Sequence, residues 1–196
     1  MKADLQTTLA YRQSAAAFLE REGWRRDVAG EHDFALAAQG VAHLVMNPGA
    51  WLMLTGNVGT GKTFLAETVW KHIRRKKFRV DCSDDGQVDW LVGPADAAAN
   101  GGVFNSAADE LLEMDIFLDD LGSETLRNSY GNILDRCGKF IVKYHARGRG
   151  RLIVTTNLDG RALGERYGDR VFDRLVDRSV TVKFAGKSKR NRTIIK

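Results

Sequence analysis

The sequence is poor in the features that mark secreted, disulfide-rich and membrane-spanning proteins. It has two cysteines and two prolines in 196 residues, and no run of about 18 apolar residues, the length that a membrane-spanning helix needs. Cys82 and Cys137 are far apart and belong to no CxxC or Cys/His cluster, so neither a disulfide framework nor a structural zinc site is indicated. The N-terminus lacks the apolar stretch of a signal peptide. We therefore expect a soluble cytoplasmic protein with reduced thiols and no membrane partner.

The chain has the size of one large domain and contains no low-complexity linker and no internal repeat. Before Asn47-Pro48-Gly49 its pattern is helical, and after this turn short apolar runs alternate with helical patterns. We predict a helical N-terminal extension over residues 1–46 and an α/β core over residues 47–196 that ends in a basic tail.

The alternation after residue 47 predicts a parallel sheet with helices on both of its faces. Val88–Val92 is ambiguous, because the Asp85-Gly86 dipeptide before it favours a hairpin turn that would make it a strand. The predicted strands are Trp51–Thr55, Phe78–Cys82, Asp115–Asp119, Leu152–Thr156 and Val180–Phe184, and the predicted helices are Lys62–Arg75, Ser106–Glu113, Ser129–Ala146 and the stretch Ala162–Arg178.

Positive charge is concentrated in three short clusters, although the net charge is only +5. Such clusters attract the phosphate backbone of nucleic acids, while solvated surface charge is the alternative interpretation. The clusters are RRKK (Arg74–Lys77), HARGRGR (His145–Arg151) and KSKRNR (Lys187–Arg192).

One segment matches the phosphate-binding pattern G-x-x-x-x-G-K-[ST] and lies between the apolar strand WLMLT and a helical run. Its glycines let backbone N–H groups curl around a phosphate, and the helix that follows directs its positive end at the anion. Lys62 is predicted to reach the β- and γ-phosphates, and the Thr63 hydroxyl to bind Mg²⁺. The sequence therefore predicts an ATP and Mg²⁺ site formed by Gly56, Asn57, Val58, Gly59, Thr60, Gly61, Lys62 and Thr63.

Two further strands end in polar side chains that suit the same chemistry. Asp119 and Asp120 end the apolar strand Asp115–Asp119, an arrangement in which Asp119 holds Mg²⁺ and Asp120 orients water for attack on the γ-phosphate. Asn157 follows the strand Leu152–Thr156 and is a candidate to hold that water opposite Asp120. The alternative for Asn157 is a turn-forming residue at a strand end.

These elements, together with the stretch LDDLGSE and the segment YGDRVFDRL (Tyr167–Leu175), resemble the AAA+ ATPases of the DnaC/IstB helicase-loader family over residues 40–190. The resemblance implies a P-loop NTPase fold of the AAA+ type, a three-layer α/β sandwich with a five-stranded, mainly parallel sheet. The short segment after the last predicted strand leaves room for little or no helical lid.

The resemblance also implies that arginines act between subunits. Arg174 corresponds to the arginine finger that reaches the nucleotide of a neighbouring subunit, and Arg170 lies beside it at i, i+4 spacing. The alternative is a solvated, salt-bridged helix face formed with Asp169, Asp173 and Asp177. Arg190 falls where the sensor 2 arginine of the family is expected. Such a finger has no role in an isolated monomer, so self-association into an oligomer is implied.

The implied function is an ATP-hydrolysing accessory protein of DNA replication, a loader that acts on a hexameric replicative helicase and on single-stranded DNA. Its turnover is expected to be slow, because Asp120 stands where a glutamate is usual, and Glu124 is an alternative group for orienting the water. The main alternative is an IstB-like ATPase that regulates a transposase and the choice of target DNA. A small-molecule kinase and an assembly protein with almost no hydrolysis are the remaining hypotheses.

Overall fold

The structure is a computed structural model that describes residues 5–92, 110–129 and 132–186. Its helices are α1 (Leu5–Arg21), α2 (Arg26–Ala29), α3 (Glu31–Met46), α4 (Lys62–His72), α5 (Asp85–Val92), α6 (Arg136–Arg147), α7 (Gly160–Tyr167) and α8 (Asp169–Arg178), with a 3₁₀ turn at Leu111–Glu113. Its strands are β1 (Trp51–Gly56), β2 (Lys77–Asp81), β3 (Asp115–Leu121), β4 (Arg127–Ser129), β5 (Asn132–Leu134), β6 (Leu152–Thr156) and β7 (Ser179–Phe184).

A five-stranded sheet in the order β2-β3-β6-β1-β7 forms the centre of the fold. All of its neighbouring strands are parallel, and β4 and β5 form a separate antiparallel ribbon. Parallel strands are joined by crossovers, which here are mostly helices. The prediction of a parallel α/β sheet with five strands is confirmed.

Both faces of the central strands β1, β3 and β6 are buried, which explains why these strands are mostly apolar, whereas the edge strands β2 and β7 are only partly buried. Successive side chains of a strand point to opposite faces, so Trp51 and Met53 of β1 pack in one core cluster while Leu52 and Leu54 pack in the other. Helices α5 to α8 contribute to the first cluster, and α1, α3 and α4 contribute to the second. This arrangement gives the predicted three layers.

The N-terminal helices belong to the second core. Leu19, Trp24 and Phe34 are buried together with Leu54 and with the end of β7. Helix α3 approaches the sheet so closely that a Cβ atom at Gly40 would lie 2.8 Å from the side chains of Leu52 and Val182. The division of the chain at residue 47 stays a prediction.

The ambiguity at Val88–Val92 is resolved against the hairpin, because these residues belong to helix α5. Asp84 acts at the start of this helix, where its Oδ1 accepts hydrogen bonds from the backbone N–H groups of Gly86 (2.9 Å) and Gln87 (3.4 Å). The Gln87 amide donates to the other oxygen of Asp84 at 3.1 Å. The sequence D-x-x-Q is therefore a helix-capping signal here rather than a turn signal.

The helix predicted from Ser129 begins instead at Arg136. Asp135 caps it, since its carboxylate accepts a hydrogen bond from the Gly138 backbone N–H at 2.8 Å. The residues before it contain β4 and β5. Of the predicted helix Ser106–Glu113, the structure describes only the part from Glu110, which contains the 3₁₀ turn.

In the part of the chain that the structure describes, no helix is both long and apolar enough to cross a bilayer. The basic tail at Lys187–Arg192 lies outside the described residues, as does any lid after residue 186.

Candidate nucleotide-binding site

The predicted phosphate-binding loop joins the carboxyl end of β1 to α4, at the sheet edge where β3 and β6 also end. Ligands of open parallel sheets bind outside these carboxyl ends. A cleft of about 580 Å³ opens there, and its lining comes from separate segments of the chain: Val58, Gly59, Gly61, Lys62, Thr63, Phe64, Asp81, Ser83, Asp119, Asp120 and Asn157. The sheet therefore brings the loop, the acidic strand end and the polar residue after β6 to one place.

The loop has the backbone shape that its glycines were expected to allow. Gly56 has φ +137°, and a Cβ atom there would lie 2.4 Å from the backbone oxygen of Phe184. Gly61, directly before α4, has φ +101°. The buried hydroxyl of Thr60 donates to the Asn57 carbonyl at 2.9 Å and closes the loop from inside.

Lys62 is held at the base of the loop by three hydrogen bonds. Its Nζ donates to the backbone oxygens of Gly56 and Asn57 and to Oδ1 of Asn157, each at 2.8 Å. The Asn157 amide in turn donates to Oδ1 of Asp120 at 2.6 Å. The lysine of the loop and the two residues predicted to orient water are thus one hydrogen-bonded chain, which favours a functional Asn157 over a simple turn residue.

Thr63 and Asp119 lie side by side, as expected for two oxygen ligands of one hard cation. The Thr63 hydroxyl donates to Oδ1 of Asp119 at 3.1 Å, and the same oxygen accepts the Thr155 hydroxyl at 2.6 Å. Hydroxyl and carboxylate oxygens are the donors that Mg²⁺ prefers, so this pair fits that ion.

The sequence did not point to Arg79, which contacts the same carboxylate. Its guanidinium donates to Oδ2 of Asp119 at 2.6 Å and to Glu67 at 2.8 Å. Arg79 lies on β2, which pairs in parallel with β3 so that Asp81 lies opposite Asp119. Only this register brings the Arg79 guanidinium within reach of the Asp119 carboxylate. No motif spacing encodes that contact, so sequence reasoning had no signal for it.

Asp120 has a strained backbone, with φ +58°, a conformation that few residues other than glycine adopt. It lies within an irregularity in the pairing of β3 with β6, between Leu118 and Leu121. Its N–H donates to the Thr155 hydroxyl at 2.7 Å, and its carbonyl accepts the Ser123 hydroxyl at 2.6 Å. Burial and the neighbouring Asp119 charge raise the pKa of Asp120, while the Lys62 charge opposes them.

Glu124, the alternative water-orienting group, points into the protein. Its carboxylate accepts hydrogen bonds from the Gly122 N–H at 2.9 Å and from the Tyr167 hydroxyl at 2.5 Å, and it is almost fully buried. It does not line the cleft. Of the two candidates, only Asp120 lies in the cleft beside Lys62 and Asn157.

The predicted intersubunit arginines lie on α8, outside the cleft. Arg170 is exposed and Arg174 is half-buried. Among the described residues neither forms an ion pair with the aspartates of α8, and Asp177 instead pairs with His145 at 2.8 Å. Both therefore remain candidates for a role between subunits. Arg190 lies outside the described residues.

A second, mostly apolar pocket adjoins the loop at Gly61. Phe64 of α4 is half exposed there and stacks on Trp24, with ring centroids 6.1 Å apart. The turn after α1 and helix α2 supply the rest of the lining, which includes Arg25, Val28 and Ala29. An aromatic surface next to a phosphate-binding loop suits the base of a nucleotide. Phe64 follows the motif directly, whereas Trp24 lies far upstream in the sequence and carried no signal.

Comparisons with known proteins agree with this geometry. A family model described as IstB-like ATP-binding protein matches residues 39–196. A solved structure of the DnaC helicase loader superposes with a TM-score of 0.58 at 19% identity, covering 80% of this chain and 90% of that chain. A DNA replication initiation factor superposes with a TM-score of 0.54 at 18% identity, covering 78% and 46%.

At these identities the two structures show the fold alone. No match was found among curated proteins. The family model, in contrast, covers most of the chain, including the loop, the acidic strand end, Asn157 and the α8 arginines. The fold, the loop and this match together show that the chain belongs to the family of IstB-like ATP-binding proteins, whose members are P-loop proteins of the AAA+ class.

Proposed function

We propose that this protein is a Mg²⁺-dependent ATPase that serves DNA replication as a helicase loader, with a hexameric replicative helicase and single-stranded DNA as partners. The observation that carries the ATPase activity is the hydrogen-bonded chain Lys62–Asn157–Asp120 beside the Thr63–Asp119 pair. The stretches LDDLGSE and YGDRVFDRL support the loader role.

In this proposal each cleft residue has a distinct task. Lys62 exchanges its present oxygen partners for the β- and γ-phosphates, and Asp120 with Asn157 positions the attacking water. Thr63 and Asp119 hold Mg²⁺, which offsets phosphate charge when bound. Because Asp120 is short and no arginine is among the described residues that line the cleft, we expect slow hydrolysis until subunits assemble.

We further propose that the pocket beside Gly61 receives the adenine base. Phe64 offers a half-exposed ring, and the stacked Trp24 behind it fixes its position. Stacking of a base on an aromatic side chain is possible for every base and contributes roughly 1–3 kcal/mol to the binding free energy. This places base and phosphates on adjacent parts of the same loop-helix junction.

Single-stranded DNA is proposed to bind at the opposite edge of the sheet. The basic clusters at 74–77 and 145–151 meet there, since Arg75 donates to the backbone oxygen of Arg149 at 3.4 Å. Lys76 and Arg149 project into solvent and form only weak ion pairs. Lys76 lies 3.4 Å from Glu110, and Arg149 lies 3.6 Å from Glu113. Exposed cations with loosely held partners can be transferred to phosphates at small cost.

The first experiment is ATP hydrolysis across a protein concentration series, with and without single-stranded DNA. We expect the rate per subunit to rise with protein concentration and with DNA, and Lys62→Ala to abolish ATP binding. A slow rate that depends neither on protein concentration nor on DNA would contradict the proposal that the ATPase acts as an assembly. An unchanged ATP affinity in Lys62→Ala would contradict the proposed nucleotide site.

DNA binding is tested separately by its salt dependence. Arg149→Gln should weaken single-strand binding. The slope of log binding constant against log salt concentration should become about 0.7 less steep for one lost phosphate contact. The matched control is Arg161→Gln, which removes another exposed arginine, one that pairs with Glu165 on α7 at 2.8 Å. Equal effects of the two changes would show general charge attraction rather than a binding edge.

The second candidate is an IstB-like ATPase that regulates a transposase and the choice of target DNA, and the match to the IstB-like family model agrees with it as well as with the loader. Its nucleotide chemistry would be the same, and only the partners would differ. Binding of duplex DNA in preference to single strands, with no association with a hexameric helicase, would favour this candidate over the loader.

A further inference from the structure

Three buried side chains meet behind the nucleotide cleft, although they are far apart in the sequence. Cys82 directly follows β2, Glu124 lies in the loop after β3, and Cys137 lies in the first turn of α6. The two thiol sulfurs and a carboxylate oxygen of Glu124 all lie within 4.8 Å of one another. Both cysteines are fully buried and unoxidised, and Glu124 is 4% exposed.

The backbone around each of these residues is held firmly. The Cys82 N–H donates to the Asp119 carbonyl at 2.8 Å, and the Asp135 cap fixes the first turn of α6. Glu124 is oriented through both of its oxygens, one accepting the Gly122 N–H and the other the Tyr167 hydroxyl. The oxygen that accepts from Tyr167 also faces the Arg166 guanidinium at 3.5 Å, so the oxygen that accepts from Gly122 is the one that keeps a lone pair for a further partner.

We propose that Cys82, Glu124 and Cys137 form a binding site for a divalent metal ion of the zinc type. Two thiolates and a carboxylate suit Zn²⁺, whose ligands are sulfur, nitrogen and carboxylate oxygen, and do not suit Mg²⁺. Bond lengths of about 2.3 Å to sulfur and 2.0–2.2 Å to oxygen place tetrahedral ligands roughly 3.3–3.8 Å apart. The observed cluster meets that spacing with small movements of side chains.

The surroundings supply the outer contacts and charge that such a site needs. Hydrogen bonds to a ligating carboxylate orient it and are typical of metal sites, and Tyr167 and Gly122 already make them. Zinc with two thiolates and one carboxylate carries one net negative charge. The Arg166 guanidinium, 3.5 Å from Glu124, offsets that charge inside the core.

Binding is coupled to the release of two protons. The Cys82 contact and burial raise the pKa of the Cys137 thiol, which keeps this thiol protonated in the metal-free protein. When Zn²⁺ binds, each S–H bond is broken heterolytically, its electron pair forms the bond to zinc, and the proton passes to solvent. Affinity should therefore increase steeply with pH.

The site joins three segments, two of which adjoin the nucleotide cleft. Cys82 lies between Asp81 and Ser83 of the cleft lining, and Glu124 lies in the loop after β3, the strand that carries Asp120. A metal there would tie β2, the loop after β3 and α6 together. It would make these segments resist unfolding without contacting the nucleotide.

Cobalt(II) is the probe, because thiolate-bound cobalt has an intense charge-transfer absorption in the near ultraviolet that oxygen ligands do not give. Reduced, metal-stripped protein is titrated with Co²⁺ and then with Zn²⁺. We expect one equivalent of cobalt to produce the band, zinc to displace it, and zinc to raise the melting temperature by several degrees. No thiolate band at a several-fold excess of Co²⁺ would overturn the proposal.

Variants assign the ligands. Cys82→Ala and Cys137→Ala should lose the band, while Glu124→Gln should weaken Co²⁺ binding by about 10- to 100-fold and keep a thiolate band. Asp119→Asn is the control, since it alters the oxygen site in the cleft and should leave the band unchanged. If a cysteine variant does not fold, the Glu124→Gln titration decides. Unchanged affinity in that variant would overturn the three-ligand site.

Discussion

At the level of single residues, Asp120 combines a strained backbone with an unfavourable charge environment. Its raised pKa comes mainly from burial and from Asp119. Well below the ordinary aspartate pKa of about 3.9, the folded and unfolded chains both carry the proton, so Asp120 does not lower the free energy of unfolding through its charge. As the pH rises through the higher folded-state pKa, the folded protein ionises at a cost that the unfolded chain does not have.

We therefore predict that Asp120→Asn stabilises the protein at neutral pH while abolishing hydrolysis. Asparagine tolerates φ +58°, and its amide oxygen can still accept the Asn157 hydrogen bond. The expected gain is roughly 0.5–1 kcal/mol after solvent screening, or about 1–4 °C in melting temperature. Thermal unfolding at neutral and acidic pH measures it, and the gain should vanish at the acidic end.

The control for this change is Asp173→Asn, which alters an exposed aspartate of α8 and should leave the melting temperature unchanged. A loss of stability in Asp120→Asn at neutral pH would contradict the argument. It would mean that the contacts of the Asp120 carboxylate stabilise the folded protein more than its charge destabilises it.

The base pocket gives a second prediction for a single side chain. Phe64→Ala removes the ring that is proposed to stack on adenine, and we expect ATP affinity to fall about tenfold. Fluorescence transfer from Trp24 to a labelled ATP measures this binding. Trp90→Ala is the matched control, because Trp90 is an aromatic residue of α5 that is 62% exposed and does not line either pocket. Unchanged affinity in Phe64→Ala would place the base elsewhere.

At the level of secondary structure elements, Arg136 joins α6 to α5 and to the loop after β3. It is 1% exposed, and its guanidinium donates to Asp85 and Asp89, both at 2.5 Å, and to the Thr125 carbonyl at 2.9 Å. Removal of this guanidinium breaks several hydrogen bonds at once and leaves the Thr125 carbonyl without this donor, although Asp85 and Asp89, which are 34% and 44% exposed, can be solvated instead. This contact holds the helices behind the cleft in place.

Arg136→Met should therefore destabilise the protein by about 2–4 kcal/mol, since it keeps the aliphatic volume but removes the donors. Urea unfolding gives the change in the free energy of unfolding. Arg161→Met removes an exposed arginine and should cost less than about 0.5 kcal/mol. If both variants unfold at the same urea concentration, the buried arginine is not a structural link.

The elements that sequence predicted best are those with a strong local pattern. The central strands β1, β3 and β6 are mostly apolar, and the loop motif fixes where β1 ends and α4 begins. Helix α5 stayed ambiguous in the sequence, because the turn signal Asp85-Gly86 competes there with the helix-capping pattern that Asp84 and Gln87 form. Competition between two local signals, rather than a tertiary effect, explains that ambiguity.

Contacts across the sheet could not be predicted in the same way. Arg79 reaches Asp119, and Cys82 reaches Cys137, only because β2 pairs with β3 in one register and α6 packs behind them. Neither spacing nor composition encodes strand order. The candidate residues within one motif were therefore accessible from the sequence, whereas their partners on neighbouring elements required the fold.

At the level of the whole molecule, the cleft and the α8 arginines do not meet within one chain. Arg174 is half-buried on α8 and does not line the cleft that holds Lys62 and Asp120. An arginine acts on a γ-phosphate only by contact, so Arg174 can contribute only if it enters the cleft of a second subunit. The proposed activity thus belongs to an interface between subunits.

Mixing two inactive variants tests this directly. Lys62→Ala lacks nucleotide binding but presents Arg174, and Arg174→Ala binds nucleotide but lacks the finger. Random co-assembly on single-stranded DNA pairs an intact cleft with an intact arginine at about one interface in four, so about a quarter of the wild-type rate should return. Arg174→Ala alone should keep its ATP affinity, which a binding titration checks.

If the mixture stays as inactive as its components while co-assembly is verified by size-exclusion chromatography, Arg174 does not act between subunits. A recovery that also occurs when Lys62→Ala is replaced by the double variant Lys62→Ala/Arg174→Ala would likewise exclude it, because no arginine at position 174 is then present in the assembly.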